Sequence, residues 1–119
     1  MESLPQQFNA AAYFVDRHVA EGRARRPAFR VAGRAITYGE VADRVAHAAG
    51  ALVEAGLEIE QRALLALNDS PAFPAAFWGA AKLGAVAVPV NTLMSAAEYE
   101  FVLNDSRARV AVVEADVAP

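Results

Sequence analysis

The sequence of 119 residues contains no cysteine. Disulfides, zinc–thiolate sites, iron–sulfur clusters and thiol nucleophiles are therefore excluded. Positive charge is scarce: 11 lysines and arginines stand against 14 acidic residues, a net charge of −3. That balance excludes a nucleic-acid binder working through bulk electrostatics. Lys82 is the only lysine, and His18 and His47 are the only histidines. Glycine is never clustered. Without a G-x-G-x-x-G or a P-loop, no backbone cradle for pyrophosphate can be named. The amino terminus from Met1 to Gln7 has neither the basic nor the apolar region of a signal peptide. The longest apolar run, Ala72 to Val90, is broken by Pro74, Gly79, Gly84 and Pro89. Lys82 sits near its centre, where a charge costs about 2.5–3.5 kcal/mol in a bilayer. A buried helix followed by a buried strand explains that run better than a membrane span.

What is present is globular. Apolar residues make up 55% and charged residues 21% of the chain, which argues against disorder. The length suits one domain of roughly 100–200 residues. Alanine alone is about a quarter of the chain. No repeat of fixed period and no low-complexity linker divides it. A cytoplasmic protein fits these features best.

The pattern predicts an amino-terminal helix from about Ala10 to Glu21, capped by Asn9 and closed by Gly22. Ala11, Phe14, Val15, His18 and Val19 fall on its inner face. Arg23, Arg25 and Arg26 follow as a solvated loop. A hairpin comes next, with strands Phe29–Ala32 and Ala35–Tyr38 joined by Gly33-Arg34. Thr37-Tyr38-Gly39-Glu40 has the spacing of a capping box. It opens a helix that runs to Ala55, with Val41, Val45, Ala48, Ala49, Leu52 and Val53 as its apolar stripe.

Strand and helix then alternate. Arg62 to Leu67 is a continuous apolar strand, as expected in a parallel sheet covered on both faces. Ser70 suits an N-cap and Pro71 the first helical position of a helix to Leu83. Ala85 to Val90 reads as a second buried strand. Ser95-Ala96-Ala97-Glu98 is another capping box, opening a helix to about Asn104 with Tyr99, Val102 and Leu103 inward. Arg109 to Val113 is the third strand. The fold class is thus α/β: a helix and β-hairpin followed by βαβαβ with three parallel strands and right-handed crossovers.

An open parallel sheet binds ligands at the carboxyl ends of its strands. Here those ends are Asn68-Asp69-Ser70, Asn91-Thr92 and Glu114-Ala115-Asp116. Ser70 can cap a helix or help hold an anion. His18 packs and His47 is exposed on this reading, with no second ligand at metal spacing. Asp69 and Asp116 could form an acidic pair, as in a phospho-accepting receiver domain. Such domains need a lysine at a late strand end, and Lys82 lies on a helix. Tyr13, Phe14, Phe73, Phe77 and Trp78 read as core. The residues name no catalytic, cofactor-binding or metal-binding position.

Two motifs carry more. Ile36-Thr37-Tyr38-Gly39-Glu40-Val41 resembles the first core motif of the adenylate-forming enzymes, which include acyl- and aryl-CoA synthetases, luciferases and peptide-synthetase adenylation domains. Ala81-Lys82-Leu83-Gly84-Ala85-Val86-Ala87-Val88-Pro89-Val90-Asn91 resembles the second, and the interval between them suits the family. Asn9 to His18 with Glu21-Gly22-Arg23, Asp69 to Ala80, and Pro89 to Leu93 resemble the benzoate-CoA ligase branch. The resemblance covers essentially the whole chain.

The resemblance implies activation of a carboxylic acid in two steps. The carboxylate attacks the α-phosphate of ATP to give an acyl-adenylate and pyrophosphate, and the thiol of coenzyme A then displaces AMP. Magnesium accompanies the nucleotide. The family's phosphate loop, nucleotide motifs, acyl pocket and carboxy-terminal domain have no counterpart in these residues. The expectation is therefore the first part of a large N-terminal AMP-binding domain, residues 1–119, inactive alone, with no catalytic, cofactor or metal residue carried over. A stand-alone non-catalytic interaction module on the same fold is the alternative. An incomplete sheet should expose an edge and favour self-association.

Overall fold

A computed structural model describes residues 3–117 of the chain. Met1 and Glu2, where the reading of the amino terminus begins, and the last two residues of the 1–119 domain lie outside it.

The amino-terminal helix forms, but in two forms of winding. Ala12–Asp16 is a π-helical segment, and α1 continues it over Arg17–Ala20. Asn9 caps it as expected, its Oδ1 accepting the amides of Ala11 at 2.9 Å and Ala12 at 3.3 Å. The wider π turn shifts the side chains off the 3.6-residue stripe. Ala11 and Val15 are buried, whereas Phe14 and Val19, expected inside, are exposed.

The hairpin pairs β1 (Pro27–Val31) with β2 (Arg34–Thr37) in antiparallel register, Val31 opposite Arg34. Its turn is Ala32-Gly33 rather than Gly33-Arg34. Both residues have positive φ, 48° and 79°, as a type I′ turn requires to match the strand twist.

β2 runs directly into α2 (Tyr38–Glu54), and Thr37 makes the expected capping box with Glu40. Val41, Val45, Ala49 and Leu52 are buried along it. Val53, read as part of the stripe, is exposed. β3 (Arg62–Ala66), α3 (Ala72–Lys82), β4 (Val86–Pro89), α4 (Ala96–Ser106) and β5 (Val110–Val113) follow. The three strands are parallel in the order β4-β3-β5.

That order places the two crossover helices on opposite faces. Along β3, alternate residues point to opposite sides. Ala63, Leu65 and Leu67 pack with Ala76 and Ala80 of α3, and with Leu52 and Leu57 from α2 and its end. Leu64 and Ala66 face α4. Reversal of direction at β4, from which the chain crosses back past β3 to β5, demands this arrangement when crossovers are right-handed. Among the described residues, only β3 is buried on both sides. β4, expected to be a buried strand, and β5 are edges among the described residues, with Val86 and Val113 exposed. A second core joins the hairpin to α2 through Val15, Ile36, Val41 and Val45, with Trp78 against it.

Candidate functional site

The carboxyl ends of the strands are occupied by turn chemistry. The amide of Asn68 donates to Glu114 Oε1 at 3.2 Å and ties the end of β3 to that of β5. Ser70 Oγ accepts the amide of Ala72 at 3.3 Å, so it serves the start of α3. Asn91 Oδ1 accepts the amide of Leu93, and its carbonyl accepts the Tyr99 hydroxyl at 2.8 Å. Asp69 lines a shallow hollow with Phe29, Arg30 and Val31 of the hairpin, and Asp116 is not part of it. Among the described residues, no group of three or more His, Asp or Glu side chains could hold a metal ion.

The first motif, Ile36 to Val41, builds a clasp at the amino end of α2. A helix begins with amides that lack intrahelical partners. Here the Tyr38 amide donates to the Arg26 carbonyl at 3.0 Å, and the Gly39 amide to the Ala24 carbonyl at 2.9 Å. The Glu40 amide donates to Thr37 Oγ1 at 3.2 Å. Glu40 reaches back to the Thr37 amide and also accepts from Arg34 at 3.1 Å. Glycine suits position 39 because a Cβ there would lie 3.2 Å from the Ala24 oxygen.

The Gly22–Arg26 loop that supplies those carbonyls is anchored by His18. Gly22 has a φ of 84° and folds the chain back. The Arg23 amide then donates to the His18 carbonyl at 2.7 Å, and Arg23 Nε to His18 Nδ1 at 3.1 Å. The imidazole lies against the Tyr38 ring, with centroids 4.2 Å apart. Arg23 also pairs with Glu21. Partial burial, then the Arg23 and Arg17 guanidiniums, hold His18 below its ordinary protonation range. The hydrogen bond from Arg23 holds the Glu21 carboxyl low. Of the basic cluster, Arg25 and Arg26 are exposed as expected, whereas Arg23 is half-buried. His18 packs and His47 is exposed, the latter with Nδ1 2.7 Å from the Asp43 carbonyl.

The second motif, Ala81 to Asn91, closes α3 and forms β4 and its turn. The Ala85 amide returns to the Ala80 carbonyl and the Gly84 amide to that of Ala81, each at 3.0 Å. This pairing is a Schellman closure. The amino-terminal segment is fastened to the same place. Asn9 Nδ2 donates to the Ala81 carbonyl at 2.9 Å, and Lys82 Nζ pairs with Asp16 at 3.0 Å. Sequence reasoning missed both ties and the His18–Arg23 bond. The signal for the last was the glycine at 22, because a Schellman turn brings the residue after it back over the one four before it.

A concavity lies between α4 and its face of the sheet. It has a volume of about 530 Å³ and is walled by Leu64, Ala66, Met94, Tyr99, Leu103 and Val113. No residue of α4 is buried.

Comparison with known proteins accounts for this arrangement. The AMP-binding enzyme family matches residues 16–119. The chain belongs to that family. The 4-hydroxybenzoate–CoA/benzoate–CoA ligase of Rhodopseudomonas palustris is 43% identical over 114 residues, 96% of this chain and 21% of that protein. Benzoate–CoA ligase of Thauera aromatica is 37% identical over 98% of this chain and 22% of its own length. The crystal structure of a benzoate CoA ligase from Burkholderia xenovorans LB400 superposes with a TM-score of 0.85 at 37% identity, over 93% of this chain and 22% of that one. An anthranilate CoA ligase in complex with anthranoyl-AMP superposes with a TM-score of 0.87 at 34% identity, over 95% of this chain and 22% of that one.

The chain thus spans about a fifth of the length of the relatives it matches. Both recognised motifs of this AMP-binding family chain act structurally here: one starts a helix and the other ends one. The sequence has no glycine-rich phosphate loop, and the described residues hold no cluster of three or more carboxylate or histidine side chains. No helix among them is long and apolar enough to cross a membrane.

Proposed function

We propose that this chain is the opening part of the large N-terminal domain of an ATP-dependent aryl acid–CoA ligase with a benzoate-like substrate. The whole ligase forms an acyl-adenylate and then a CoA thioester, using ATP, magnesium and coenzyme A. These 119 residues contribute scaffold: the central strand, its flanking helices and the clasped start of α2. By themselves they are inactive. The observation that supports this reading is identity of 43% and 37% to two benzoate-type ligases across nearly the whole chain. The cytoplasm is the compartment that suits a ligase of this kind.

Two measurements test it. Calorimetry on the 119-residue chain with ATP and benzoate is expected to show no binding, and pyrophosphate exchange is expected at background. Micromolar binding or measurable exchange would mean that these residues hold a site of their own. Joined to the remainder of a benzoate-type ligase, the chain is expected to support AMP release that depends on benzoate and coenzyme A. A chain that supports none, and instead captures a protein partner, would favour the non-catalytic module.

A further inference from the structure

We propose that His18 is an acid-sensitive pin, whose protonation releases Arg23 and loosens the Gly22–Arg26 loop from the amino end of α2. An arginine Nε carries a hydrogen and can only donate. Its 3.1 Å bond to His18 Nδ1 therefore requires a lone pair on that nitrogen. The imidazole is then neutral, with its proton on Nε2. Protonation puts a hydrogen on Nδ1, removes the acceptor and sets a cation beside two others.

Three charged groups and one aromatic ring surround the imidazole. From its own helix come Arg17, whose guanidinium lies over the Tyr13 ring at 4.1 Å, and Glu21, which pairs with Arg23. From the loop comes Arg23, and from α2 comes Tyr38, stacked on the ring. Two guanidiniums oppose the imidazolium and one carboxylate favours it. Half-burial of the ring weighs most against the imidazolium, and repulsion from Arg23 and Arg17 adds to it, because the Glu21 carboxylate is already engaged by Arg23.

What the pin controls is defined by the clasp. The loop carbonyls of Arg26 and Ala24 accept the Tyr38 and Gly39 amides. The Glu40 amide, one residue on, bonds to Thr37 and is independent of the loop. Acid should therefore expose the first two amides and spare the third.

Amide exchange by NMR on the 119-residue chain separates them, with protection factors compared above and below the His18 titration as its own ring nitrogens report it. On acidification, protection at Tyr38 and Gly39 is expected to fall about fivefold relative to Glu40, the worth of one ordinary hydrogen bond. The fall should track His18, observed directly through its ring nitrogens, with Nδ1 unprotonated at the upper pH. His18→Gln keeps an acceptor for Arg23 and cannot titrate, so its protection should stay high at both pH values. Arg23→Met lacks the donor, so its protection should be low at both. Equal protection at Tyr38 and Gly39 across the His18 titration would overturn the proposal. So would an acid-induced fall that persists in His18→Gln, or full protection in Arg23→Met.

Discussion

Thr37 holds the amino end of α2 with one hydroxyl, which accepts the Glu40 amide at 3.2 Å. Thr37→Ala removes that acceptor and leaves the amide orphaned. The expected loss is about 1 kcal/mol, read from urea unfolding of the two chains. The capping box at Ser95 offers a pH test. The Ser95 amide donates to Glu98 Oε2 at 2.7 Å, and this bond holds the Glu98 carboxyl below its ordinary 4.5. The folded chain then binds this proton less readily than the unfolded chain does. The stabilisation is fully present above 4.5 and is lost as pH falls through the lower folded value. Amide protection at the start of α4 should fall in that window, and Glu98→Gln should abolish the dependence. Both boxes were legible because their partners are three residues apart. The ties from Asn9 to Ala81 and from Asp16 to Lys82 were not, because they join residues brought together only by packing.

At the scale of elements, α2 and α3 pack closely because residue 79 has no side chain. A Cβ at Gly79 would stand 3.1 Å from both the Ala48 Cβ and the Ala49 nitrogen. Gly79→Val must push the helices apart, at an expected cost of about 1–3 kcal/mol by chemical denaturation. The end of α4 offers the opposite case. It closes as α3 does, with the Ala108 amide on the Leu103 carbonyl, but the residue at the turn is Arg107 at a φ of 54°. Arg107→Gly relieves a left-handed conformation and is expected to raise the melting temperature, with a gain on the order of 1 kcal/mol. Helix existence and order were readable from period and caps. The interior of α1 was not, since a π turn changes the period that the reading assumes. An exposed sheet edge was expected, but not that β4, read as a buried strand, would form one. Its sequence, Val-Ala-Val-Pro, suits a covered strand, and sequence alone does not show what stands beside it.

The whole molecule is unequal on its two sides. The α3 face carries a closed apolar core, whereas the α4 face keeps an open hollow and α4 buries no residue. Beside the hollow, β5 presents unpaired backbone and the exposed side chain of Val113. Such an edge invites pairing with another chain. Sedimentation velocity of the 119-residue chain should show association that rises with concentration. Val113→Lys places a charge on that edge and is expected to shift the distribution toward monomer. The chain spans only about a fifth of its relatives.

The central position of β3 also gives assembly an order in time. The stretch between paired residues Ala63 and Val110 is about twice that between Arg62 and Val86. Each doubling of a closed loop costs about 0.6 kcal/mol of chain entropy. β4 also arrives with α3 already seated on the core, while β5 brings a helix that seats nothing. The β3–α3–β4 unit should therefore form first, and β5 should join it after the rate-limiting step. Truncation of Val112 should speed unfolding and leave refolding nearly unchanged, whereas truncation of Leu65 should slow refolding. A late-closing strand spends longest unpaired in a newly made chain, so its sequence is the one most exposed to quality control during synthesis.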